Sequence, residues 1–179
     1  SSAVLDEYRE YERGIATWLN AYVGPIMEGY LQRLLQAVKN TPLAVMQSHG
    51  GTVAAEQAGK RAVELLLSGP AGGLVGARYQ GENSHCDHLM TFDMGGTSTD
   101  VALIDGEVGL TSEGQIAGYP VATPMVDMHT IGAGGGSIAW LDSGGLLQVG
   151  PESAGANPGP ACYGLGGQSP TVTDANLLL

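Results

Sequence analysis

At 179 residues and 43% hydrophobic content, the chain is long enough for one domain or two small lobes around a packed core. Its net charge of −11, from 7 basic against 18 acidic residues, leaves no basic patch and excludes the usual nucleic-acid binders. An acidic chain that handles phosphate must do so with backbone N–H groups and a metal ion rather than with lysines.

The first element expected is a helix over residues 5–39. Tyr8, Tyr11, Ile15, Trp18, Leu19, Tyr22, Ile26, Tyr30 and Leu34 recur at spacings of three and four, which predicts one apolar stripe facing the core. Gly14 and the Gly24-Pro25 pair should bend or divide it. Residues 43–47 read as a buried strand, 48–52 as a sharp turn carrying His49, and 54–60 as a short helix. Beside two glycines, His49 is either an ordinary loop residue or a group reaching a ligand. An apolar stretch at 63–67 leads into Ser68-Gly69-Pro70-Ala71-Gly72-Gly73-Leu74-Val75-Gly76-Ala77, with Ser68 the expected N-cap and Pro70 in a first helical turn. Its glycines weaken a helix, so either close packing, a hinge or backbone approach to a nucleotide must require them. Residues 81–84 read as a polar loop, and the adjacent His85-Cys86-Asp87-His88 lacks the spaced pairs of a structural zinc site.

The stretch 89–105 carries the strongest chemical signal. Two apolar runs flank Asp93-Met94-Gly95-Gly96-Thr97-Ser98-Thr99-Asp100, which predicts two strands joined by a tight, hydroxyl-rich turn with a carboxylate on each side. Glycines let backbone approach a ligand, and successive N–H groups in such a turn form a concave anion site. Carboxylates beside an anion make sense once Mg²⁺ lies between them. The economical reading is a Mg–nucleotide phosphate clamp, in which Asp93 and Asp100 hold the metal. Its rival is an ordinary hairpin whose turn needs glycine.

A third strand is expected near 108–110, and another over 124–131 that runs into Gly132-Ala133-Gly134-Gly135-Gly136-Ser137 and a short helix at 138–141. Strand, glycine loop and helix start together favour anions, which makes Gly134, Gly135 and Gly136 candidate cofactor-binding residues. The loop lacks the order of a P-loop or a Rossmann fingerprint. Asp127 and His129, two apart on the expected strand, share a face. They read either as an acid/base or metal pair or as a hydrogen-bonded pair at a strand end. After a strand at 146–149, residues 150–164 form a long irregular loop of the kind that is ordered for function. Cys162 lies in it without a base placed beside it, so a nucleophilic role is disfavoured. Thr173 is the expected N-cap of a last helix.

No apolar run reaches the roughly 18 residues of a membrane-spanning helix, and no leader pattern opens the chain. Cys86 and Cys162 form no disulfide framework, so a reducing cytoplasm is the default. The chain opens without Met and stops within a helical pattern at Leu177-Leu178-Leu179, which suggests a piece of a longer protein.

Several long motifs, in register, resemble the hydantoinase A / 5-oxoprolinase family, which includes acetone and acetophenone carboxylase subunits. They are FDMGGTSTDVALI (92–104), SGPAGGLVGA (68–77), MVDMHTIGAGGGSIAW (125–140), VGPESAGANPGPACYG (149–164) and PTVTDANLLL (170–179), with residues 7–27 similar to the preceding helical segment. The resemblance implies an α/β, actin-like ATPase fold: two ribonuclease H-like lobes, each with a mixed sheet and a phosphate-binding β-hairpin, here present in part. Residues 1–67 would be a helical segment plus the end of the first lobe, and 68–179 the lobe with the second hairpin. Asp93, Gly95, Gly96, Thr97, Ser98, Thr99 and Asp100 then inherit the ATP-phosphate and Mg²⁺ role. The partner DxGGTxTD-type hairpin is absent from this chain. The implied activity is ATP-dependent activation of a lactam carbonyl before hydrolysis of a cyclic amide, with a hydantoinase B-type partner subunit or fused domain. The alternatives are a ketone carboxylase subunit and a non-catalytic nucleotide-binding lobe.

Overall fold

In the computed structural model, which describes residues 1–39, 41–116 and 118–179, the N-terminal pattern forms one helix, α1 (Glu10–Ala37), with Pro25 inside it. The helix is not divided at Gly14 or Gly24. The aromatic stripe is not its core face, contrary to expectation: Tyr11, Tyr22, Ile26 and Tyr30 are all more than half exposed, while Ala16, Gly24 and Leu31 are buried. Close backbone approach decides the rotation. A Cβ on Gly24 would stand 3.7 Å from the Gly59 carbonyl, and Asn20 bonds both the Lys60 carbonyl and the Val63 N–H at 3.2 Å. Small residues allow that approach where rings would not. Trp18 instead stacks on Tyr22 at 5.9 Å and packs against Tyr119 at 5.4 Å.

Strands β1 (Ala44–Met46) and β2 (Thr52–Ala54) pair antiparallel around the expected turn, followed by α2 (Ala55–Ala58) and a 3-10 segment, Gly59–Leu65. Helix α3 (Ser68–Asn83) begins one residue earlier than expected, because Leu67 takes the N-cap position at φ 57° and Ser68 is already helical. It also runs through residues 81–83, which read as a loop. Gly81 makes that possible: a Cβ there would meet Leu89 Cδ1 at 2.6 Å and the Cys86 carbonyl at 2.7 Å. At Gly69, Gly73 and Gly76 nothing lies within 4 Å of a Cβ position, so packing within the described chain does not account for them.

The hairpin follows as β3 (His88–Met94) and β4 (Thr99–Asp105), fastened at its base by a His88–Asp105 contact of 2.7 Å. Then come β5 (Glu107–Val108), β6 (Leu110–Thr111), β7 (Gly114–Ile116) and β8 (Tyr119–Val121). The single strand expected over 124–131 is two: β9 (Met125–Val126) pairs with β6, and β10 (His129–Ile131) pairs with β4. Asp127 and Met128 lie between them, because two different sheets claim the two ends. The helix expected at 138–141 is also corrected, to strand β11 (Ser137–Leu141), paired with β12 (Leu147–Ser153). Ile138 and Trp140 suit a pleated strand, and the Trp140 indole donates to the Gly150 carbonyl at 2.9 Å. A 3-10 turn (Ala161–Tyr163) leads to α4 (Val172–Leu178). Its N-cap is Thr171 rather than Thr173, in a reciprocal capping box with Asp174.

The chain divides into two units, 1–89 with 104–127, and 90–103 with 128–179. Apolar clusters of the first include one around Val63, Val121 and Met125, one around Leu31, Ala55, Ala58 and Leu65, and one of Leu5, Ala16 and Ala122. Ser48, fully buried, ties its segments together. Its hydroxyl lies 2.6 Å from both the Glu64 and Leu66 carbonyls, its N–H donates to Glu64, and its carbonyl accepts from Val126. No helix among the described residues is long and apolar enough to cross a membrane.

Ser48→Ala takes the hydroxyl donor from the Leu66 carbonyl, while Glu64 keeps the backbone N–H, and is expected to destabilise the first unit by about 1–3 kcal/mol, read as a lower urea midpoint at unchanged slope.

Candidate functional site

The end of the β3–β4 hairpin and the glycine loop after β10 belong to one unit, and there they stack backbone on backbone. Gly135 N–H donates to the Gly95 carbonyl at 2.8 Å and Gly136 N–H to the Gly96 carbonyl at 2.7 Å. β10 brings them together by pairing with β4, in the register Thr130 with Asp100 and Ile131 with Thr99. The contact needs residues without side chains. A Cβ on Gly134 would sit 2.6 Å from the Gly95 carbonyl oxygen and 2.8 Å from Ser98 N, and one on Gly136 would sit 2.8 Å from the Gly96 carbonyl oxygen.

The backbone of these three glycines is fully accounted for within the protein. Gly134 N–H donates to Ser137 Oγ at 2.9 Å, and its carbonyl accepts from Ser137 N–H at 3.0 Å. The Gly135 carbonyl accepts from both the N–H and the hydroxyl of Thr173 at 2.8 Å, and the Gly136 carbonyl accepts from Ala154 N–H at 2.8 Å. The amides that the sequence pattern offered to a phosphate are therefore engaged, and behind them lies strand β11 rather than a helix dipole.

The turn itself is arranged the other way. Gly95 N–H donates to the Ser98 carbonyl at 2.9 Å, closing the turn. The next three amides, of Gly96, Thr97 and Ser98, have no acceptor among the described residues. Gly96 and Thr97 are exposed and Ser98 is half-buried. Thr99 is buried and turned away, its hydroxyl donating to the Ala133 carbonyl at 2.6 Å. Asp93 is exposed, and Asp100 accepts from the Thr130 hydroxyl at 2.7 Å through one oxygen only. Neither carboxylate is in an ion pair among the described residues. Successive unengaged amides between two carboxylates suit an anion and a hard divalent cation together. No three His, Cys, Asp or Glu side chains among the described residues converge on a metal position, so any cation here would also need ligand oxygens.

Asp127 and His129 are both exposed and lie on different segments, so the same-face argument that joined them does not apply. Asp127 N–H is held by the Gly109 carbonyl at 2.8 Å. Sequence reasoning missed Thr173, Ser137 and Thr130 as supports of the turn. Only the proximity of Ser137 to the glycines signalled any of them.

The loop before α4 is ordered by Asp174. Its carboxylate accepts from Cys162 N–H at 2.7 Å and from the N–H and hydroxyl of Thr171 at 2.8 Å. These bonds, Cys162's first, hold Asp174 well below the usual carboxylate range, and the same carboxylate pushes the Cys162 thiol up. A raised thiol pKa opposes nucleophilic use of Cys162 at neutral pH.

Gly134→Ala is expected to force turn and loop apart at a cost of about 1–3 kcal/mol, with faster hydrogen exchange of the Gly95, Gly135 and Gly136 amides as the readout. Asp174 contributes stability that is fully present above its unfolded pKa of about 3.9 and is lost progressively as pH falls from there through the depressed folded value, although its hydrogen bonds in the folded state outlast that range. Acid titration of amide exchange at 161–162 should show protection surviving pH 4 in the native chain, and Asp174→Asn should abolish the acid transition.

The Hydantoinase/oxoprolinase family model matches residues 13–179. The caprolactamase subunit alpha of Pseudomonas jessenii is 43% identical over 98% of this chain and 26% of its own length. A crystal structure of ATP-dependent caprolactamase from that organism superposes with a TM-score of 0.75 at 41% identity, covering 99% of this chain and 26% of that one. The 5-oxoprolinase of Dictyostelium discoideum is 38% identical over 100% of this chain and 15% of its own length. The nucleotide-free acetone carboxylase structure, from work on ATP-dependent acetone carboxylation, superposes with a TM-score of 0.82 at 31% identity, covering 99% of this chain and 26% of that one. This chain thus spans about a quarter or less of the proteins it resembles. Family motif, register and backbone agree along nearly the whole chain, which belongs to the hydantoinase/oxoprolinase family.

Proposed function

We propose that this chain is part of an ATP-dependent cyclic-amide hydrolase subunit, and that the 93–100 turn holds nucleotide phosphates and Mg²⁺. One observation carries the reading: three successive amides, of Gly96, Thr97 and Ser98, are without acceptors among the described residues and lie between Asp93 and Asp100. On this reading the chain is a portion of an actin-like ATPase fold, with 68–179 in the lobe of the second phosphate hairpin and 1–67 in the helical segment and the end of the first lobe.

Asp93 and Asp100 would hold Mg²⁺, and the fit rests on their chemistry: two oxygen-donor carboxylates, neither in an ion pair among the described residues. Mg–ATP, when bound, supplies the phosphoryl group that makes a lactam carbonyl a better electrophile. The turn amides bind and orient phosphate oxygens and offset their charge. Gly95 closes the turn, Thr97 and Ser98 add hydroxyl donors, and Thr99 anchors it to Ala133. Gly134, Gly135 and Gly136 act as a strut beneath the turn rather than as direct ligands. Asp127 and His129, each exposed, are kept as separate candidates for proton transfer to the amide and not as a pair. The name of the Pseudomonas relative, a subunit alpha, supports a partner subunit of B type or an equivalent fused domain.

A ketone carboxylase subunit is the second reading, favoured by the acetone carboxylase likeness. A non-catalytic nucleotide-binding lobe is the third. The full-length polypeptide with its partner, assayed with and without ATP on 5-oxoproline, hydantoin, caprolactam, acetone and acetophenone, separates them. ATP-dependent ring opening is expected. ATP-dependent ketone carboxylation supports the second reading, and Mg–ATP binding without turnover the third. Asp93→Asn and Asp100→Asn should each weaken Mg–ATP binding or turnover by at least about tenfold. Unchanged ATP kinetics in both variants overturn the clamp.

A further inference from the structure

We propose that Thr173 is a positioning residue for the phosphate turn, acting through the glycine strut; this rests on the nucleotide reading above. Read alone, the sequence makes Thr173 a helix cap, but Thr171 does that work. Thr173 is two residues further on, the second residue of α4, and both of its donors point elsewhere: its N–H and its hydroxyl reach the same Gly135 carbonyl at 2.8 Å. That carbonyl shares its peptide unit with Gly136 N–H, which donates to the Gly96 carbonyl at 2.7 Å, and the Gly96 carbonyl shares its own peptide unit with Thr97 N–H. The peptide units 135–136 and 96–97 are thus linked in one hydrogen-bonded series from α4 to a turn amide that has no acceptor among the described residues.

Polarisation along such a series strengthens each bond and fixes the direction of the next. Gly135 is confined from both sides, since a Cβ there would sit 2.7 Å from Thr173 Oγ1 and 3.7 Å from the Gly95 carbonyl oxygen. Without the Thr173 hydroxyl, the Gly135 carbonyl keeps one donor in place of two, and the strut is free to tilt. The turn amides then lose the fixed directions that make a preorganised anion site effective. Thr173 contacts no ligand in this scheme. Its part is to hold the strut against the turn, and Asp174 sets α4 in position for it through the capping box.

The test uses the full-length polypeptide with Thr173→Val, Thr173→Ala and Thr173→Ser. Mg–ATP affinity is measured by calorimetric titration, and hydrogen exchange of the bonded Gly95, Gly135 and Gly136 amides is followed without nucleotide. Val and Ala should weaken Mg–ATP roughly three- to tenfold, as loss of one hydrogen bond predicts. Both should speed exchange at these three amides while leaving α1 protected, and Ser should restore both properties. Ala adds no bulk and carries the test if Val does not fold. Unchanged affinity and exchange in Val and Ala, a Ser variant no better than Ala, or exchange that rises equally in α1 each overturn the role of Thr173. Failure of the unsubstituted protein to bind Mg–ATP overturns the phosphate reading itself, and the nucleotide role of Thr173 with it.

Discussion

Two short stretches of backbone, one from the hairpin turn and one from the glycine loop, lie against each other with no side chain between them. Gly135 and Gly136 donate to Gly95 and Gly96, and Cβ atoms at 134 or 136 would collide with peptide atoms of the turn. Peptide groups bonded this closely cannot turn independently. The turn's shape is therefore set by the loop, the loop by Ser137, Ala154 and Thr173, and Thr173 by the cap of α4. A glycine-rich segment, which as a free chain would be among the most mobile, becomes rigid because its N–H and C=O groups are taken up.

That arrangement also explains a division of labour between two glycine motifs that look alike on paper. Both are runs of small residues after a strand, and both fit a general description of anion-binding loops. The difference lies in the hydrogen bonds. In 134–136 all three amides have protein acceptors, whereas in 96–98 none has one among the described residues. One loop is support, and the other presents donors. Composition cannot distinguish these cases, because the acceptors that engage Gly135 and Gly136 lie 40 positions earlier in the chain.

The same logic accounts for the elements that sequence patterns misread. In α1 the periodicity was genuine, but the buried face was chosen by Gly24, which permits contact with the 3-10 segment, and by Ala16, which packs with Leu5 and Ala122, and not by the larger rings. The expected strand over 124–131 mixes apolar residues with Asp127, His129 and Thr130, and its ends are paired in different sheets, which separates Asp127 from the strand of His129. Residues 138–141 include the helix formers Ala139 and Leu141 and still took the strand state once β12 offered a partner. In each case a tertiary partner outweighed local propensity.

What the chain determines locally is considerable. The hairpin over 88–105, its Gly-Gly turn, its flanking carboxylates and its acidic, lysine-poor character all follow from alternation, turn chemistry and charge, and the family motifs can be read in the same letters. Local sequence suffices there because strands joined by four residues find each other without help. Which amides remain available for a ligand was decided only in three dimensions. So was the diversion of Thr173 from cap to strut, because hydrogen-bond acceptors are assigned by spatial neighbours that residue order does not specify.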